Sequence, residues 1–175
     1  MEEALLHSGS LFGGSLDYGK CFDRIPVHIV LQLALEQGMS MRLVRPLQSL
    51  YASLKRRFRV GSGIGKPFCS TNGIIQGCPL SVVLLNLLVN VWAKAVRTEA
   101  PAALPCGYAD DTGATASEAG PIQQVLDITG SFATVTGQVL NASESHVWAT
   151  CLHQVHELAC MRILDEHVPS IRGGN

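Results

Sequence analysis

Between Gln37 and Thr98 the chain has no aspartate or glutamate at all. The same stretch holds nine cations: Arg42, Arg45, Lys55, Arg56, Arg57, Arg59, Lys66, Lys94 and Arg97. All 14 acids lie outside it, so a net charge of −1 divides into +9 inside and −10 outside. The overall balance argues against a polyanion-binding protein, but the asymmetry argues for one region that faces phosphate. A solvated basic face has the same composition, so charge alone leaves both readings open. Other absences narrow the class further. The first residues, Met1-Glu2-Glu3-Ala4-Leu5-Leu6, lack the basic flank of a signal peptide. The longest apolar run, Val82 to Ala93, is interrupted by Asn86 and Asn90. It is too short to span a bilayer and reads as a buried core helix, with no membrane expected. The six cysteines have no regular spacing. They read as reduced, mostly buried thiols of an intracellular protein. No repeat or low-complexity tract is present. With 175 residues, 47% of them hydrophobic, the chain suffices for one real core and is not a disordered segment.

Ser15 to Tyr18 reads as a short strand after a lead-in, Met1 to Gly14, of uncertain structure. Pro26 suits a helix start, and Val27, Val30, Leu31 and Ala34 recur at helical spacing up to a capping Gly38. Ser40 is placed to cap a second helix with an apolar face of Leu43, Val44, Leu47, Leu50, Tyr51 and Leu54. Pro46 should kink that helix or delay its start. A hairpin follows, with arms Phe58 to Val60 and Pro67 to Ile75 around Gly61 to Gly65. Pro79-Leu80-Ser81 opens a long helix to about Thr98. Leu104 to Tyr108 and Thr112 to Ala116 form a second hairpin. Pro121 begins an amphipathic helix using Ile122, Val125, Leu126, Phe132 and Val135, closed by Gly137. Gln138 to Leu140 and His146 to Thr150 read as two last strands. This order predicts an α+β domain, an antiparallel sheet with helices packed on one face.

The second hairpin carries Tyr108-Ala109-Asp110-Asp111, two acids at a tight turn. Adjacent acids repel, and their titrations are coupled. A divalent cation shared with a third acid would offset that cost, since hard Mg²⁺ takes carboxylate oxygens and substrate phosphates. Most such pairs are simply solvated turns. Two further stretches raise the stakes. Ser15-Leu16-Asp17-Tyr18-Gly19-Lys20-Cys21-Phe22-Asp23 supplies a third acid, and Asn72-Gly73-Ile74-Ile75-Gln76-Gly77-Cys78-Pro79-Leu80-Ser81 supplies a glycine turn opening a helix.

In this order the three stretches resemble motifs A, B and C of reverse transcriptases, and their wording is most similar to that of non-LTR (LINE-type) retrotransposons. The resemblance runs from about Leu11 to Trp148. It implies the palm of an RNA-directed DNA polymerase, a ferredoxin-like or RRM-like sheet, with residues 1–150 as a partial palm and 151–175 as a tail that would begin a thumb or connection. It implies two-metal nucleotidyl transfer of deoxynucleoside triphosphates onto a primer 3′-hydroxyl, with Mg²⁺ or Mn²⁺ as cofactor. Asp17 and Asp110 would be the main catalytic and metal ligands, Asp111 an auxiliary acid, and the carbonyl of Tyr18 a further ligand. Phe22 would pack under the incoming sugar and exclude a 2′-hydroxyl; plain core packing is the other reading of that ring. Gln76 and Gly77 would contact template and nucleotide, and Tyr108 would lie near the primer end. Lys55, Arg56, Arg57, Arg59, Pro79 and Ser81 would contact the RNA template and DNA primer. The resemblance leaves the compartment of an intracellular chain open between the nucleus and a cytoplasmic ribonucleoprotein.

Two departures qualify these implications. Asn141-Ala142-Ser143-Glu144-Ser145 resembles motif D, but Glu144 stands where the family has a lysine, held to act as general acid for the pyrophosphate. A glutamate reverses the charge there and is ionised at neutral pH, which predicts impaired turnover or an inactive palm that only binds nucleic acid or a protein. The second departure is size: there is no room here for fingers or a complete thumb, which flanking sequence of the same element would supply. The tail Cys151, His153, His156, Cys160 matches no zinc spacing, and Val155, Leu158, Ala159 and Ile163 suggest an ordinary amphipathic helix.

Overall fold

The computed structural model describes residues 10–151 and 154–172; His153 of the tail lies outside them. The chain forms two compact units, one combining the chain up to Cys21 with Val89 onward, the other Phe22–Leu88.

The first unit is built on a five-stranded sheet. Its strands are β1 (Phe12–Leu16), β6 (Ala103–Tyr108), β7 (Asp111–Ala116), β8 (His146–Ala149) and β11 (Ser170–Arg172), in the order β11-β8-β1-β7-β6. All pairs are antiparallel except β11 with β8. Strand alternation puts Phe12, Gly14 and Leu16 on one face, in register with Ala116, Ala114 and Thr112 on β7. Those side chains join Val147 and Ala149 in the core, under Trp92 and Val96 of α4 (Pro79–Glu99) and Ile122, Val125 and Leu126 of α5 (Ala119–Thr136). Each large side chain so buried contributes roughly 1.5–3 kcal/mol. The buried Trp92 indole donates to Thr129 Oγ1 at 2.9 Å, which leaves no orphan donor there. The α+β arrangement with helices on one sheet face is the one expected from the element order.

Details differ from expectation. Strand β1 starts at Phe12, because Gly13 and Gly14 hide its alternation. A Cβ on Gly13 would run into the Trp148 ring, so only glycine fits under that indole. The segment Gln138 to Leu140 is no strand; it makes one isolated bridge, Leu140 to Tyr18. Val135 is 82% exposed, off the buried face of α5. Beyond Thr150 the chain forms only a one-turn helix, α6 (Val155–Leu158), and a small hairpin of β9 (Arg162–Ile163) and β10 (Glu166–His167) before β11. On the open edge, β6 carries Pro105, opposite Ala114.

In the second unit, α1 (Cys21–Arg24) leads to α2 (Val27–Glu36) and α3 (Met41–Ser53). Gly38 ends α2 with φ of 91°, and Ser40 caps α3 by accepting from Arg42 N at 3.2 Å. Pro46 lies inside α3 and does not delay its start. Only Val44 and Leu47 of its expected apolar face are buried; Leu43 and Leu50 are exposed. The expected hairpin is two short ladders, β2 (Lys55–Arg56) with β5 (Phe68–Cys69) and β3 (Arg59–Val60) with β4 (Gly63–Ile64), turning at Gly61-Ser62. The helix α4, expected to be buried, is only partly so: Leu84, Leu85 and Leu88 are inside, while Leu80, Val82, Val83 and Val91 are exposed. By length and composition alone it is apolar enough to cross a membrane, a test that core helices also pass.

Candidate active site

Two strand ends bring the expected acids together. Asp17 follows β1 directly, and β7 pairs with β1 up to Leu16 and Thr112. The β6–β7 turn beside that register is Ala109-Asp110, with Tyr108 opposite Asp111. Ala109 has φ of 57° and is the only one of the two turn residues with positive φ, the mark of a type II′ turn. Asp110 and Asp111 are both exposed, Ala109 is half-buried, and Tyr108 is 84% exposed at the tip.

The loop after α5 holds Asp17 from the other side. Asp17 N donates to Ser145 Oγ at 3.0 Å, and Asn141 N donates to the Asp17 carbonyl at 3.0 Å. Ser145, fully buried, donates in turn to the Asn141 carbonyl at 2.9 Å. Gly19 N donates to the Val139 carbonyl at 2.8 Å. These bonds flank the Tyr18–Leu140 pair, so the peptide groups of Tyr18 itself are turned away from that bridge. The Tyr18 ring is buried, which pushes its phenol up to about 12.

The electrostatics link four acids. The Asp17 carboxyl is held above its ordinary value by burial first, then by Glu144 through charge and a hydrogen bond, then by Asp110 and Asp111. Cys21, buried beside the same group, is pushed up to about 12 by burial and then by Asp110 and Asp17. It is a protonated thiol, not a nucleophile. Among the described residues no three His, Cys, Asp or Glu side chains are close enough to hold a metal ion between them. The donor set is nonetheless all oxygen and mutually repelling, which suits a hard cation.

The remaining expected residues belong to the second unit. Phe22, half-buried on α1, accepts from Ile74 N at 2.8 Å through its carbonyl. Gly77 has φ of 80°, and Gln76 beside it is exposed. Gln76 lines a hollow of about 210 Å³ with Asp23 and Arg56. Arg56 pairs with Asp23 at 3.6 Å and donates to the Gly73 carbonyl at 3.0 Å. Lys55, Arg57, Arg59 and Pro79 are exposed. Ser81 is fully buried, its hydroxyl 3.5 Å from that of Tyr51.

A family model described as reverse transcriptase (RNA-dependent DNA polymerase) matches residues 2–158. The chain belongs to the reverse transcriptase family. It is 25% identical over 144 residues to the retrovirus-related Pol polyprotein from the type-2 retrotransposable element R2DM of Drosophila melanogaster. That match spans 79% of this chain and 14% of the polyprotein, and it bears out the resemblance to a retrotransposon reverse transcriptase. In fold the chain is similar to telomerase from Candida tropicalis in complex with a TWJ fragment of telomeric RNA, with a TM-score of 0.65 at 14% identity over 85% of this chain and 28% of that one. Apo telomerase from the same organism, truncated from its C-terminal domain, matches with a TM-score of 0.62 at 15% identity over 85% of this reverse transcriptase chain and 33% of that one. The sheet with its covering helices is thus a palm-like fragment. Ser145 and Cys21 carry little signal of a site role in the sequence; for Ser145 it is the short polar turn Asn141-Ala142-Ser143-Glu144-Ser145, where serine tends to bond backbone.

Proposed function

We propose that this reverse transcriptase chain is the palm of an RNA-directed DNA polymerase that extends a primer on an RNA template with deoxynucleoside triphosphates. The observation that carries the reading is the register of β1 with β7, which sets Asp17 beside the turn of Asp110 and Asp111, acids 93 and 94 positions away in sequence. Asp17 and Asp110 would hold Mg²⁺ or Mn²⁺, with Asp111 and the Tyr18 carbonyl as further ligands. Bound there, a divalent cation would neutralise the triphosphate and favour attack by the primer hydroxyl. The chain's own part is positioning. The Ser145 and Asn141 bonds fix Asp17, and the tight turn fixes Asp110. In the second unit, Phe22 would limit the sugar, Gln76 and Gly77 would meet template and nucleotide, and Lys55, Arg57 and Arg59 would hold the nucleic-acid backbone. Tyr108, open at the hairpin tip, would face the primer end.

Glu144 favours a second reading, a palm that binds without turning over. It puts a fourth carboxylate against Asp17 where the family's motif D has a lysine. Mn²⁺ titration tests the site: Asp110→Asn should abolish binding, and equal binding by that variant would mean the acids are misassigned. Primer extension by a protein that includes the flanking segments then separates the two readings, with Glu144→Lys raising the rate if the glutamate is the impediment.

A further inference from the structure

We infer that the ribbon Lys55 to Cys69 carries a stacking platform for an unpaired nucleobase. This rests on the proposal that the acid-free stretch faces nucleic acid, and it adds a ligand class that backbone contacts do not require. Phe58 and Phe68 lie on opposite arms of the ribbon with ring centroids 4.9 Å apart and planes within 20°. Phe68 covers one face of the Phe58 ring, yet Phe58 remains 70% exposed, so its other face is open to solvent. A phenyl pair that served only the ladder would be expected to hide more of its area. Gly65 N donates to the Phe58 carbonyl at 2.8 Å, which pins the ring's backbone.

The surroundings select the ligand. Lys55, Arg56, Arg57, Arg59 and Lys66 share the ribbon with no acid in it. Among the described residues only Arg56 of these five is ion-paired, with Asp23. A rigid aromatic face beside uncompensated cations is the chemistry that holds single strands: phosphates meet the cations, and an unstacked base covers the ring. A blunt duplex has no such base to offer and would use the cations alone. The occupant is therefore an unpaired stretch of nucleic acid, read without sequence preference.

The test uses fluorescence anisotropy with a labelled oligouridine, the matching oligodeoxyuridine and a blunt hairpin duplex of equal phosphate number. Phe58→Ala should bind both single strands on the order of tenfold more weakly and the duplex as wild type does. Phe58→Trp should keep wild-type affinity and show tryptophan emission quenched by the single strands and not by the duplex. Phe58→Leu keeps an apolar side chain in the ribbon and should behave like Phe58→Ala. Arg57→Gln should weaken single strand and duplex alike and flatten the salt dependence. If Phe58→Leu binds as wild type, the ring only packs and the platform is overturned. If Phe58→Ala changes neither ligand while Arg57→Gln weakens both, the basic face stands and the platform falls. No binding of any oligonucleotide by the wild type would overturn both.

Discussion

The hydroxyl of Ser145 accepts the main-chain N–H of Asp17 across 128 positions of sequence and hands its own proton to the Asn141 carbonyl. The acid at the end of β1 is thus fixed by a loop on another strand connection, not by β1 alone. Ser145→Ala should leave that amide unsatisfied. A loss of about 1–3 kcal/mol is expected for an orphaned buried donor. Urea melts would read it, and amide hydrogen exchange at Asp17 should accelerate. An unchanged exchange rate would show that the bond does not hold the acid.

The crowding of Asp17 has a pH signature. Burial, then Glu144, Asp110 and Asp111, raises its carboxyl above the ordinary value. The folded protein therefore keeps the proton to higher pH than the unfolded chain does, and stability falls as pH rises through the interval between the two values. Glu144→Gln removes the charge that weighs most on Asp17. It should flatten that fall and raise the melting temperature at neutral pH, as thermal melts at a series of pH values would show.

The turn between β6 and β7 holds an alanine at φ of 57°, where a side chain is disfavoured. Ala109→Gly should stabilise the protein by up to about 1 kcal/mol, the relief of strain being partly cancelled by the flexibility of unfolded glycine. Ala109→Val should destabilise it, since β-branching worsens the clash. Equal melting midpoints for the three would contradict the turn geometry.

Gly13 lies beneath the Trp148 ring with no room for a methyl group. Gly13→Ala should cost about 1–3 kcal/mol as an overpacked contact. Trp148 emission should shift as the ring is pushed off the sheet, which separates this effect from a general loss of strand propensity.

Thiol labelling offers a last check. Cys21 is buried with its thiol pushed up to about 12, whereas Cys69, Cys106 and Cys160 are exposed. At neutral pH an alkylating reagent should modify Cys69 and Cys160 first, Cys106 more slowly because partial burial pushes its thiol up, and Cys21 only on unfolding. Rapid labelling of Cys21, seen by peptide mass mapping, would mean that the loop after β1 is open.

Much of the site was legible because its signals are local. An acid doublet between alternating strands announces a hairpin tip, and Ser40 and Gly137 mark helix ends by their own hydrogen bonding and backbone freedom. Local pattern misled where burial depends on distant partners. Leu43, Leu50 and Val135 have the right spacing for an inward face and are exposed, since none of the described elements buries them. The strand at Phe12 was hidden because glycine carries no hydropathy signal. The approach of Glu144 to Asp17, and the pairing of Ser170–Arg172 with β8, depend on chain reversal over long separations, which no window of residues contains.

Pro105 on β6 has a consequence for how this sheet behaves among its own copies. Counted from the two-residue turn, Pro105 opposite Ala114 falls at a position whose N–H would point away from β7, out from the sheet edge. Proline has no such donor, so the exposed margin presents a gap where a second strand would need a rung. The ring thus removes one rung from any edge-to-edge pairing, and exchanging it for threonine would return that donor to the open edge.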